Sequence, residues 1–264
     1  MAIPLVKSAR TELLIEFVKR LVARQYKGSW LGVAWTVLDP LLMALVYTMV
    51  FAVFFGIATG EGAGRADYAL MVLAGLVPFR AMATVLNRST NCVRNNANLV
   101  KRVVFPVEIL PVATAVAAVV NGLFGLLVLL VLTLLLKGAL PLTVVFLPVV
   151  YGVMLIFVVA AAYFLSAAAT LVRDVGSVVP PVTRAALFLT PVVWPLERLS
   201  EKWQTLETTL NPFAVIVVSH KNVVFYGTAP LWRELAVLAA VSLVLLLLGR
   251  AWFRRQKRFF PEVL

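Results

Sequence analysis

Two neighbouring stretches contain no Lys, Arg, Asp or Glu: residues 109–136, 28 positions, and residues 138–172, 35 positions. A helix needs roughly 20 consecutive apolar residues to cross the hydrocarbon core of a bilayer. Backbone polar groups in lipid must also bond within their own segment, which helices do. Runs this long therefore predict membrane-spanning helices. Composition agrees, since 62% of the 264 residues are hydrophobic and 14% are charged, against about 25% charged in water-soluble domains. The expected fold is all-α, a polytopic membrane protein in a single domain covering residues 1–264.

Hydropathy places six spans at 35–57, 68–88, 109–136, 144–171, 177–194 and 234–252, leaving 253–264 as a cytosolic tail. With six spans, both termini share one side. That side carries 16 Lys and Arg residues and the other carries 6. The positive-inside rule assigns the richer side to the cytosol. Acidic residues balance the outer side, so the net charge of +12 reads as a topology signal and an attraction to anionic membrane lipid. Nucleic acid is not the expected partner. Within residues 1–34, positions 11–23 set Leu13, Leu14, Phe17, Val18 and Leu21 opposite Glu12, Glu16, Lys19 and Arg20. That spacing suits an amphipathic helix in the membrane interface or a solvated helix packed on a partner.

Several functions are disfavoured. The first 30 residues are charged throughout and do not read as a cleavable signal peptide. One cysteine, Cys92, excludes an internal disulfide, and one histidine, His220, leaves no cluster for a metal. No Walker A loop, Gly-x-Ser-x-Gly elbow or intramembrane carboxylate pair is present. The remaining classes are a passive pore, an ion-coupled transporter and the membrane half of an ATP-driven machine. Asp39 alone qualifies as an intramembrane acid, which disfavours ion coupling.

Four groups of residues could carry function. Residues 96–104 between spans 2 and 3 could form a short amphipathic helix displaying Lys101 and Arg102 and stopped by Pro106. Such a helix would transmit a partner's movement into the bundle, or it is an ordinary positive-inside loop. Within spans, Asp39 lies roughly 6 Å and Arg184 roughly 10 Å from the cytosolic ends of spans 1 and 5, with Arg80 in the cytosolic half of span 2. Two readings stand open: Arg80 and Arg184 line a vestibule for a phosphate headgroup, or Arg80 pairs with Asp39 while Arg184 snorkels. Tyr47, Phe51, Phe54, Phe188 and Trp194 could offer rings along which a sugar polymer slides, or form the usual aromatic belt. Residues 195–233 exceed a simple loop. Pro195 ends span 5, Trp203 lies on an apolar face, Asn211-Pro212 makes a turn, and the apolar stretch from Phe213 suggests two short helices re-entering the outer leaflet. An interfacial hairpin is the alternative.

Five motifs in order resemble one family. Tyr26-Lys-Gly-Ser-Trp-Leu-Gly-Val-Ala-Trp35 with Leu38-Asp-Pro-Leu41 is similar to the segment leading into the membrane in ABC-2 type permeases that export polysaccharides. Asn96-Ala-Asn-Leu-Val-Lys-Arg-Val-Val-Phe-Pro106 resembles their connection between spans 2 and 3. Arg173-Asp174, Leu189-Thr-Pro-Val-Val-Trp-Pro195 and Asn211-Pro212 follow in the same order. The resemblance implies a homodimer with a channel on its two-fold axis, docked on a separate ATPase that binds ATP and Mg. It also implies no cofactor in this chain and a location in the bacterial inner membrane. By position, the coupling element is residues 95–105, with Asn95, Asn98, Leu99, Lys101, Arg102 and Phe105 as candidate contacts. The outer gate is residues 196–225, with Trp203, Asn211, Pro212 and Phe213.

The expected function is the permease subunit of an exporter for undecaprenyl-diphosphate-linked O-antigen. A teichoic acid or capsule exporter, an ABC-2 drug or lipid exporter, and a membrane scaffold without transport activity are the alternatives.

Overall fold

The computed structural model describes residues 7–26, 32–54, 64–101 and 105–264. Among them every regular element is helical. In chain order these are α1 (Lys7–Tyr26), α2 (Trp35–Tyr47, continued by the π-helical Thr48–Phe54), α3 (Arg65–Ser89), α4 (Ala97–Val100), α5 (Ile109–Lys137), α6 (Leu147–Leu171), α7 (Asp174–Leu189), α8 (Glu201–Leu210), α9 (Pro212–Lys221, continued by the π-helical Asn222–Tyr226), α10 (Trp232–Gln256) and α11 (Phe260–Val263). The helices containing α3, α5, α6 and α10 are long and apolar enough to cross a membrane. Residues 55–57 of the expected first span, and Lys27, Gly28, Ser29, Trp30 and Leu31 of the leading motif, lie outside the described residues.

The charge-free runs set α5 and α6. Gly138 ends α5 because its φ of 76° caps the helix in the left-handed region, its N–H bonding the Leu134 carbonyl at 2.9 Å. The chain then turns back into α6. Helix α3 is the axis of the bundle. Met71, Val72, Ala74, Met82 and Val85 are fully buried, and the helix packs against α2, α5, α6, α7 and α9. Helices α6 and α10 run side by side, with ring pairs Phe146–Trp232 (5.1 Å) near one end and Phe164–Trp252 (5.7 Å) near the other.

The α8–α9 hairpin dips among these helices. Phe213, at the start of α9, packs on Phe79 (5.5 Å) and Phe157 (5.9 Å). Phe157 lies eleven residues beyond Phe146, or about 16 Å along α6. From that depth α9 climbs back toward the same end: His220 Nδ1 donates to the Ala74 carbonyl at 2.7 Å, and Thr143 Oγ1 donates to the Val223 carbonyl at 2.7 Å. Residues 214–221 are buried throughout.

Two boundaries differ from the hydropathy reading. Helix α7 starts at Asp174 and stops at Leu189, not at Trp194. The break falls at Thr190, whose ψ of 144° is extended, because the ring of Pro191 excludes the preceding residue from helical geometry. Pro195 is thus not the breaker. The expected tail at 253–264 is packed on the bundle. Helix α10 runs to Gln256, and Phe253 and Phe260 are fully buried in a second core with Cys92, Val93, Val100, Val107, Leu110, Tyr163 and Ala167. Aromatic pairs Tyr163–Phe253 (5.6 Å) and Phe253–Phe260 (5.3 Å) close it.

Candidate functional site

The connection after α3 is built by local bonds. Thr90 Oγ1 donates to the Asn87 carbonyl (2.7 Å), and Asn96 Nδ2 donates to the Cys92 carbonyl (2.8 Å). A 3-10 turn at Arg94–Asn96 then leads into the single turn of α4, with Lys101 N–H bonding the Ala97 carbonyl at 3.0 Å. The helical stretch is shorter than residues 96–104, and Arg102 lies outside the described residues. Asn95, Asn98 and Lys101 are exposed at three-residue spacing, while Val100 is buried behind them. Leu99 is half-buried, and Phe105 packs on Phe17 of α1 with ring centroids 5.6 Å apart. One exposed polar row thus sits on an apolar footing formed partly by α10 and α11.

Glu108, just before α5, ties that footing together. Lys257 Nζ donates to Glu108 Oε1 at 2.7 Å, and Arg254 Nε lies 3.6 Å from the same oxygen. Burial alone would raise this carboxyl. The Lys257 hydrogen bond, a backbone N–H and the two cationic charges outweigh it and hold the group below its ordinary 4.5. Nearby, burial pushes the Cys92 thiol up to about 12.

Inside the bundle, Arg80 Nη2 donates to Asp39 Oδ2, joining α3 to α2 in an ion pair. Arg80 Nη1 is buried with no hydrogen-bond partner. Arg184 is exposed on α7, its Nε donating to the Pro180 carbonyl at 3.3 Å, and it forms no ion pair with Asp39. Among the described residues, no ion pair or hydrogen bond joins Arg184 to the Arg80–Asp39 pair.

The aromatic candidates split. Tyr47 and Phe51 are half-buried and tilted together at 6.3 Å. Phe54 and Phe188 are exposed. Trp194 is half-buried, and its indole donates to the Phe188 carbonyl at 3.0 Å. Trp203 projects from α8 into the open. Asn211 caps α9, its Oδ1 accepting from the N–H groups of Phe213 (3.0 Å) and Ala214 (3.3 Å), and its Nδ2 donating to Glu207 (2.6 Å) and Thr190 (3.1 Å). Pro212 occupies the first helical position, where its missing N–H costs nothing.

Lys221 is a candidate that the sequence pattern does not single out. Its ammonium is buried on α9 and donates to the carbonyls of Pro191 (2.5 Å) and Trp194 (3.3 Å). Tyr68 O–H donates to the Val193 carbonyl between them. Helices α3 and α9 thus fasten the stretch that follows α7. Gly75 permits the approach, since a Cβ there would lie 2.7 Å from the Val192 carbonyl oxygen and 2.8 Å from Lys221 Cε. The sequence signal is a lysine beside Ser219, His220 and Asn222 within a mostly apolar segment.

A bundle of apolar helices, four of them long enough to cross a membrane, with a hairpin packed among them and an exposed polar row at one end, defines the class of multi-pass helical membrane proteins. Residues 12–225 match the model of the ABC-2 type transporter family, and the chain belongs to that family. It is 30% identical over 251 residues to the O-antigen export system permease protein RfbA of Myxococcus xanthus, covering 95% of this chain and 94% of that one. Two proteins of the same name from Klebsiella pneumoniae are 24% and 23% identical over 255 residues, each covering 96% of this chain and 95% of the relative.

Proposed function

We propose that this chain is the permease subunit of an ATP-driven exporter. It moves undecaprenyl-diphosphate-linked O-antigen across the bacterial inner membrane, from cytosol to periplasm. The observation that carries this reading is the near full-length likeness to permeases named for O-antigen export. The chain crosses six times with both termini cytosolic: α2 and α7 join the four long helices, and the α8–α9 hairpin re-enters the outer leaflet as a gate. Two copies form the channel. Apolar faces on α2 (Leu42, Leu45, Met49, Phe54) and α7 (Val178, Val182, Phe188, Leu189) are bare in one chain, which supports a second copy there, with the aromatics along the passage.

ATP and Mg bind a separate ATPase subunit. It docks on the row Asn95, Asn98 and Lys101, and its movement reaches α3, α5 and α10 through the core around Val100. Arg184 keeps an exposed guanidinium for an anionic headgroup, while Arg80 holds Asp39. Deleting the gene in its host and extracting lipids tests the reading. Undecaprenyl-diphosphate-linked O-antigen should accumulate on the cytosolic side, and the chain should co-purify with an ATPase. Normal surface O-antigen after deletion would sink the proposal.

A further inference from the structure

A cavity of about 660 Å³ lies between α1, the last turns of α3 and the start of α5. Among the described residues its charged lining is of one sign: Arg20 and Arg24 from α1 and Arg88 from α3, with no carboxylate. Ion pairs elsewhere join Arg80 to Asp39, Lys19 to Glu16, and Arg254 and Lys257 to Glu108, while this cavity gathers three arginines around one space. Arg20 and Arg24 have no ion pair among the described residues. They stand four apart on one helix, a spacing at which like charges repel and which a bound anion would relieve. Asn91 and Asn95 add amide groups to the same wall.

The rest of the lining is apolar. Arg20 does not stand opposite the apolar residues as the periodicity suggests: it borders their stripe, and with Arg24 it lines the same cavity as Phe17 and Leu21, with Leu110 and Ala117 contributed by α5. Positions 17, 20, 21 and 24 fall on one stripe of a helix, so α1 offers greasy and guanidinium surface side by side. A free aqueous anion has no use for the greasy part. A lipid phosphate uses both: oxygens in the arginine forks, and glycerol or first methylenes against Phe17 and Leu21.

We infer that the pocket between α1, α3 and α5 binds the phosphate of a lipid headgroup in the leaflet where α1 lies. The assignment of that leaflet to the cytosolic side rests on the proposed function. The phosphate has two sources, the diphosphate of the exported lipid-linked polymer or an anionic phospholipid of the membrane. An acidic segment of a protein partner is a different occupant and is decided by the same experiment.

The test uses the full chain, with its co-purifying ATPase, in phosphatidylcholine nanodiscs. Phosphatidylglycerol or undecaprenyl diphosphate is added, and retained lipid is counted by native mass spectrometry. Compared with wild type, Arg20→Gln/Arg24→Gln should lose about tenfold in lipid-phosphate affinity, the loss of one or two charge-assisted bonds. Arg255→Gln, which removes a charge at an exposed site outside the pocket, should stay within about twofold. Arg20→Lys/Arg24→Lys should retain part of the binding, which a merely misfolded pocket would not. Preference for undecaprenyl diphosphate identifies the cargo, and preference for phosphatidylglycerol identifies a membrane lipid. Equal binding by the glutamine double variant and Arg255→Gln overturns the inference. Loss of the ATPase with lipid binding unchanged overturns it in favour of a protein partner. Because binding is read without transport, intact lipid-phosphate binding alongside normal surface O-antigen in the deletion strain would remove the export reading and leave the site.

Discussion

Lys257 Nζ donates to Glu108 Oε1 at 2.7 Å across 149 positions of sequence, so the end of α10 is fastened to the residue that opens α5. Glu108 has a depressed pKa in the folded chain. The stability it contributes is therefore fully present above its ordinary 4.5 and is lost as pH falls below that value through the folded pKa. Glu108→Gln should cost about 1 kcal/mol at neutral pH, a figure held down by the partly exposed Lys257. It should also reduce the sensitivity of the melting temperature to pH below 4.5. Thermal unfolding in detergent at pH 7 and pH 4 checks both; an unchanged acid limb would count against the role.

The Arg80–Asp39 pair gives a non-additive pair of substitutions. Arg80→Gln leaves the Asp39 carboxylate without its partner, and because both side chains are partly exposed the cost should be about 1 kcal/mol. Asp39→Asn in the same chain removes that stranded charge and should recover at least half the loss. Denaturant midpoints of the single and double variants measure the coupling, and simple additivity would show the pair to be energetically idle.

Phe260 fills the second core completely. Phe260→Ala should destabilise the protein by about 3 kcal/mol, with faster hydrogen exchange in α4 and residues 90–101, which share that core. Exchange confined to residues 257–264 would mean that the footing of the exposed row does not depend on the tail.

Lys221→Met keeps the stem and removes the ammonium, leaving the carbonyls of Pro191 and Trp194 unserved. The cost should be about 2 kcal/mol, with exchange rising at Val192 and Val193 between them. Gly75→Val should act on the same place by pushing a side chain into the Val192 carbonyl and Lys221. Two variants on different helices with one locus of disorder would identify the fastening.

Cys92 is buried and its thiol is raised to about 12. It should resist maleimide at neutral pH in the folded protein and react within minutes once denatured, because the thiolate is the reactive form. Mass spectrometry after timed quenching reads this out.

Long helices were legible where charge alone delimits them. The uncharged runs at 109–136 and 138–172 fall on α5 and α6 to within a few residues, apart from the short connection around Gly138 and the 3-10 turn Leu142–Phe146 that precedes α6. Pattern was weaker where a segment is apolar without being long. Residues 213–225 read almost equally as an interfacial hairpin, and it takes the contacts of Phe213 with Phe79 and Phe157, with the burial of residues 214–221, to show that α9 is packed inside. The α7 boundary was misplaced because hydropathy weighs side chains, while Pro191 acts on the backbone of Thr190. The basic pocket was invisible to a linear reading. Arg20 and Arg88 are far apart in sequence, and each taken singly is an ordinary positive-inside charge.

The second core is closed by residues that leave the ribosome after every helix they cover. Until Phe253 and Phe260 arrive, Val100 and Val107 have no complete apolar partner, so the exposed row at Asn95, Asn98 and Lys101 stands on an unfinished base. Insertion into the membrane can proceed helix by helix, but the platform that carries the exposed row matures in one late step. A chain stopped before Phe253 is expected to insert and yet present no ordered platform, so a partner that reads this surface would distinguish finished subunits from stalled ones before any assembly forms.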